Sequence, residues 1–369
     1  MPTLCGASVY CFEIWFQCWR LFEIKRLERS GWLACVAGFR RAIALNPNYA
    51  DGSNVRRLTN HPAFDNFPVF APDGTAIVFQ SNRENERTEI YLQNLNDSSP
   101  QKISNFNGTT GIGPKCWSAD GTQMLLWTDQ NGKAKIVRAN IEPYPSKLIL
   151  SDETAGLSFP RLAPDGRQIL YQAHLEDRNV ELRLTDLETR ATKTIFKTAP
   201  NYPLNSQLAP AWSPDGHRIV FNDRANGNSE IFIINADGSG LQNLTNDPLL
   251  DANPVFSPDG NEIIFVRVFY GNARLYRMNL GGGGQRRLTE KNGYEMAPAF
   301  SPDGKRIAFA SIADGNAEIY LMNADGTDLF RLTRTKAEES APQFSADGKK
   351  LFFAANRNGK FAIYEIELP

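Results

Sequence analysis

Four carboxylates stand three residues ahead of a proline: Asp65 before Pro68, Asp251 before Pro254, Glu295 before Pro298 and Glu339 before Pro342. A carboxylate so placed can cap its own turn by accepting backbone N–H bonds. Several acting together can instead hold a basic group, because like charges kept close resist joint ionisation and favour a counter-charge.

Other reactive side chains are sparse. The three histidines, His61, His174 and His217, are too few and too scattered to make a metal-ligand set. Four of the five cysteines (Cys5, Cys11, Cys18 and Cys35) precede the region containing Cys116. Their spacing matches no zinc pattern, so they read as separate thiols. Nucleophile elbows, zinc-protease helices, phosphate loops and dinucleotide fingerprints are missing. Gly281 to Gly284 reads as a turn, as does Asn-Ala-Asp-Gly at Asp237 and Asp325, because each Asp lacks the further acidic ligands that calcium needs. The sequence thus predicts no enzyme, no metal and no cofactor, since no nucleophile–base pair can be assembled from these patterns.

Composition narrows the class further. The 369 residues carry a formal net charge of −1 and 41% hydrophobic side chains. That hydrophobic content is enough for a core, and the charge argues against nucleic-acid binding, which needs a basic excess. No apolar run is long enough to predict a membrane span.

The elements that must position the acids come from a repeat. One copy runs from Ala297 through Ser301-Pro302-Asp303-Gly304 and Ile307-Ala308-Phe309, then Glu318-Ile319-Tyr320 and Asn323-Ala324-Asp325-Gly326, to Arg331-Leu332-Thr333. Pro, Asp and Gly make the first segment a tight turn. The apolar alternation after it predicts a strand, and each copy reads as a four-stranded antiparallel meander. The first-turn Asp-Gly recurs at Asp73, Asp120, Asp165, Asp215, Asp259, Asp303 and Asp347. A period of about 45 residues with four strands is that of a propeller blade. The last copy lacks a fourth strand, and a spare one, Asn54 to Thr59, precedes the first. The prediction is an all-β, seven-bladed propeller over 51–369, closed by its N-terminal strand, after a short helical extension over 1–50. Within that extension, 38–50 resembles the end of a tetratricopeptide repeat, with its helix stopped before Pro47.

The Ser-Pro-Asp-Gly…Glu-Ile-Tyr…Asn-Ala-Asp-Gly…Arg-Leu-Thr pattern resembles the WD-like propeller repeat of TolB-type proteins over 51–369. That family has an α/β domain before six blades, whereas seven copies occur here. The resemblance implies a periplasmic or extracytoplasmic protein-binding scaffold. Certain seven-bladed pectin-fragment lyases hold a metal with clustered histidines, a pattern these three histidines do not reproduce.

In a propeller the acids enter the inner strands of the fifth, sixth, seventh and first blades, which are consecutive in a closed ring. The second, third and fourth blades have Ile112, Leu157 and Gln207 there. The loop between second and third strands, on the same face, carries Arg83, Arg224 and Arg357. Together these seven residues form the candidate binding site at the channel mouth. The expected function is non-catalytic binding of a protein or peptide, with a basic partner favoured, by a monomeric propeller. The alternative is a carbohydrate-active lyase or hydrolase, or a propeller subunit regulating a hydrolase.

Overall fold

The computed structural model describes residues 54–368, apart from 85–86, 98, 105, 107, 119, 131–132, 142–146, 153–154, 200–207, 225–226 and 291–292. The expected extension over 1–50, with its tetratricopeptide-like stretch at 38–50, lies outside the described residues, as does Gln207.

Each repeat forms one four-stranded antiparallel sheet, and seven such sheets are present among the described residues. The turn chemistry explains why. In the sixth blade the Gly304 N–H donates to the Ser301 carbonyl at 2.9 Å. Ser301 Oγ donates to Asp303 Oδ1 at 2.6 Å, and that oxygen also accepts the Lys305 N–H at 3.1 Å. Gly304 sits at φ +70°, which glycine adopts without steric cost. A Cβ there would lie 3.5 Å from Pro258 Cδ of the preceding blade, so adjacent turns abut. Past the turn, Arg306–Ser311 and Glu318–Asn323 are almost wholly buried, as befits strands covered on both faces.

The core is distributed around the ring. Seven apolar clusters occur, each spanning the seam between two adjacent blades. The seam between the last blade and the first holds Phe352, Ile363, Leu58, Phe79 and Tyr91, so it is packed like the others and the ring is closed. The N-terminal strand Val55–Arg57 forms the outer edge of the last sheet, with Val55 opposite Ile366 and Arg57 opposite Tyr364. The Leu58 N–H donates to the Ile363 carbonyl at 2.8 Å, and the Ile363 N–H donates to Thr59 Oγ1 at 3.0 Å. Thr333 and Thr245 accept the N–H of Ile319 and Ile231, each at 2.9 Å, inside their own blades. Closure therefore reuses a bond that other blades make with a Leu-Thr segment or, in the first blade, with Ile103-Ser104, where Ser104 Oγ accepts the Ile90 N–H at 2.8 Å.

Among the described residues, the first strands of neighbouring sheets meet at six of the seven seams and line the channel. In six of the seven sheets the first strand carries a bulge at its proline. Glu295 and Met296 pair with Ser311 and Ala310, and pairing resumes only at Ala299 with Ala308. The residue preceding proline has positive φ in six blades: Phe67, Phe159, Ala209, Asn253, Ala297 and Ala341. Such bulges bend a strand and re-aim its side chains. Because antiparallel strands alternate in direction, the loops entering the first strands share one face with the loops joining second to third strands. The Asp-Gly turns occupy the opposite face.

Candidate binding face at the channel mouth

The loop face gathers the predicted acids, though not as free charges. Asp65, Asp251 and Glu339 are 0% exposed and Glu295 is 1% exposed. A charge buried this deeply needs a partner, and each has an arginine. Arg83 Nη2 reaches Asp65 Oδ1 at 3.1 Å. Arg357 Nη2 reaches Glu339 Oε1 at 2.8 Å. Arg267 grips Asp251 with two bonds of 2.7 Å, Nε to Oδ1 and Nη2 to Oδ2. Arg274 Nη1 lies 3.4 Å from Glu295 Oε2 and donates to the Ala273 and Gly293 carbonyls at 2.8 Å.

A strand-borne aromatic pair supports the arginine in three blades. The Arg83 guanidinium lies over Tyr91 at 4.4 Å and Phe79 at 5.2 Å. Arg267 lies over Tyr276 at 5.0 Å and Phe265 at 5.3 Å. Arg357 lies over Tyr364 at 4.9 Å and Phe353 at 5.5 Å. Cation–π contact and a carboxylate together fix each guanidinium. Burial pushes the Glu295 carboxyl up to about 7, against the opposing pull of Arg274.

Of the predicted arginines, Arg83 and Arg357 thus meet acids of their own blades. Arg224 is exposed, and the entry residue of its blade is the undescribed Gln207. Sequence reasoning missed Arg267 and Arg274, which lie on strands rather than in the loop. Arg267 was detectable: it sits two residues after Phe265, on the same side of its strand. Arg274 reaches Glu295 across a seam, which no local pattern encodes. The arc of four free carboxylates is not formed, so the ground for a basic partner is removed.

The histidines separate. His217 is exposed at an Asp-Gly turn on the far face, and exposed His61 accepts the Ala63 N–H through Nδ1 at 3.1 Å. His174 differs: its Nε2 lies 2.8 Å from Ser158 Oγ. The sequence reading did not foresee this serine–histidine contact. Ser158 is on a first strand and His174 near the end of a second, and their proximity follows from strand pairing rather than from any motif. Among the described residues no three His, Cys, Asp or Glu side chains are grouped to hold one ion.

The TolB beta propeller domain matches this sequence at residues 48–202, 160–296 and 285–369. The chain belongs to the TolB propeller family. A Tol-Pal system protein TolB from Anaeromyxobacter dehalogenans is 30% identical over 123 residues, 33% of this chain. Those residues span 26% of that relative, so the chain covers about a quarter of its length. Among solved structures, an oligogalacturonate lyase in complex with manganese superposes with TM-score 0.71 at 19% identity, covering 87% of this chain and 95% of that one. A puromycin-hydrolyzing peptidase from Mycobacterium tuberculosis superposes with TM-score 0.65 at 14% identity, covering 84% of this chain and 53% of that one. At such identities the likeness concerns the fold. It still overturns the expectation that this TolB-family propeller is not an enzyme, because enzymes share its fold and the ring assembles a serine–histidine contact.

Proposed function

We propose that this propeller binds a protein or peptide partner through the loop face around its channel mouth. The observation that supports this is Tyr270, which is 99% exposed. It tips the hairpin between Glu262–Phe269 and Asn272–Asn279, on the same face as the acid–arginine pairs. It holds φ +45°, a conformation that costs a bulky residue energy. A ring so exposed adds little to the fold, whereas tyrosine and arginine dominate protein-binding hot spots.

In this proposal Asp65, Asp251, Glu295, Glu339, Arg83 and Arg357 make a rigid, charge-matched floor. Arg224 and Tyr270 make the contact above it. A partner from an assembly like that of the Tol-Pal relatives, and a periplasmic location, belong to the same proposal. The test is photo-crosslinking in cells from a benzophenone amino acid placed at position 270 or 224, with position 305 on the opposite face as control. Protein adducts from 270 and 224 but not from 305 are expected. Adducts from 305 alone, or none from the loop face, would contradict the proposal.

A further inference from the structure

One polar cluster on the loop face is not absorbed by partner binding. It lies in the third blade, on the strands Ala155–Leu162 and Gln168–Leu175. Gly156 pairs with His174 and Ser158 pairs with Gln172. Alternation along strands puts these four residues on one side of the sheet. Ser158 is 8% exposed, Gln172 is fully buried, and His174 is partly open to solvent.

Three features make this more than a satisfied cross-strand contact. The first is the histidine itself: this place in the blade varies, with Asn82, Asp129, Arg224, Val268, Ile312 and Asn356 in the other blades, and only the third blade carries an imidazole there. The corresponding residues in the first and seventh blades are Asn82 and Asn356, whose side chains accept the backbone N–H of Phe64 at 2.9 Å and of Glu338 at 2.8 Å. They hold the loop entering the inner strand. In the third blade the imidazole meets the Ser158 hydroxyl at 2.8 Å. The second feature is the Gln172 amide. Its Oε1 accepts the Leu208 N–H at 3.3 Å, which fixes the amide plane. Its Nε2 is then buried without a hydrogen-bond partner among the described residues. A buried donor left unmatched is costly; Gln80 Nε2, at the same place in the first blade, is in the same condition, but only in the third blade does a serine–histidine contact stand beside it. The third feature is room: a Cβ built on Gly156 would meet no described residue within 4 Å, on the side of the sheet that carries Ser158 and the imidazole.

We propose that Ser158 and His174 are a nucleophile–base pair for acyl transfer from a small carboxylic ester, with Gln172 Nε2 donating to the developing oxyanion. The Ser158 proton passes to His174 Nε2 as Oγ bonds the ester carbon, and the carbonyl oxygen takes the negative charge. The tetrahedral species collapses by breaking its bond to the alkoxy oxygen, which leaves as the alcohol with the proton from His174. Water then attacks the acyl-serine, giving its proton to His174, and the carboxylic acid departs as that proton returns to Ser158. The acyl group occupies the space beside Gly156. Burial pushes the His174 imidazole down to about 4, leaving it neutral and able to accept a proton at pH 7.

The test uses the full chain, a fluorophosphonate probe, and p-nitrophenyl acetate and butyrate. Peptide mass mapping should place the phosphonyl adduct on Ser158. Ser158→Ala and His174→Gln should each lower ester turnover about a hundred-fold or more. Gly156→Leu should slow the butyrate far more than the acetate at an unchanged melting temperature. Should Ser158→Ala fail to fold, the site of labelling in the unaltered protein decides alone. No adduct on Ser158, or turnover by Ser158→Ala equal to that of the unaltered protein, would overturn the proposal.

Discussion

Arg267 holds Asp251 by two parallel bonds of 2.7 Å while its guanidinium lies over the rings of Tyr276 and Phe265. Asp247 closes on the same Nη2. One planar group thus ties the entry to an inner strand, the preceding loop and the blade's own aromatic pair. This is the most fully made version of a device seen again at Arg83 and Arg357.

Arg267→Ala strips the fully buried Asp251 carboxyl, whose proton affinity burial already raises, of the arginine that opposes that rise. Removing one member of a buried pair costs about 3–5 kcal/mol, and that loss is expected in urea denaturation. Arg267→Lys should recover only part of it, since an ammonium makes neither the paired bonds nor the flat stack. Full recovery by lysine would refute the bidentate account.

Ring closure gives a second expectation. Deleting residues 1–60 removes Val55–Arg57 and the Thr59 hydroxyl that accepts the Ile363 N–H, and opens the seam packed by Leu58. It should lower the melting temperature far more than deleting 1–48. Thr59→Ala alone should cost about 1–3 kcal/mol, the range for a buried group left unpaired. Equal melting temperatures for the two truncations would contradict closure.

The closure was legible because the same chemistry repeats. Leu58-Thr59 at one end and Leu332-Thr333 inside the chain are alike in sequence, and the missing last strand is visible by counting. The Asp303-Gly304 turn was equally plain, since few residues tolerate its geometry. The site was legible only in part. Proline spacing located Asp65, Asp251, Glu295 and Glu339, but burial and pairing depend on neighbours brought near by the sheet. Arg274 and Glu295 belong to different blades. Ser158 and His174 are ordinary residues until the register between two strands sets them opposite.

Glu295 makes stability depend on pH. Its carboxyl holds its proton to about 7 in the fold, against 4.5 ordinarily. A group with a raised folded value contributes fully below its unfolded value, and the contribution is lost as pH rises through the folded one. His174 works in the opposite sense. Its value falls from 6.5 to about 4, so its contribution is complete above 6.5 and is lost as pH drops towards 4. The two windows overlap and offset each other between 4.5 and 6.5, so the difference between proteins is the readout: the melting temperature of Glu295→Gln, which stays neutral, should rise relative to that of the unaltered protein as pH goes from about 5 to about 8. Parallel curves for the two proteins would remove Glu295 as the cause.

The loop-face binding claim is tested most directly by affinity. The partner recovered by crosslinking from position 270 is titrated against the unaltered propeller and against Tyr270→Ala/Arg224→Ala. Both side chains are exposed, so the melting curve should not move. Loss of a hot-spot anchor is worth about 2 kcal/mol or more, so affinity should fall roughly thirty-fold or further. An unchanged dissociation constant in the folded double variant would contradict the claim.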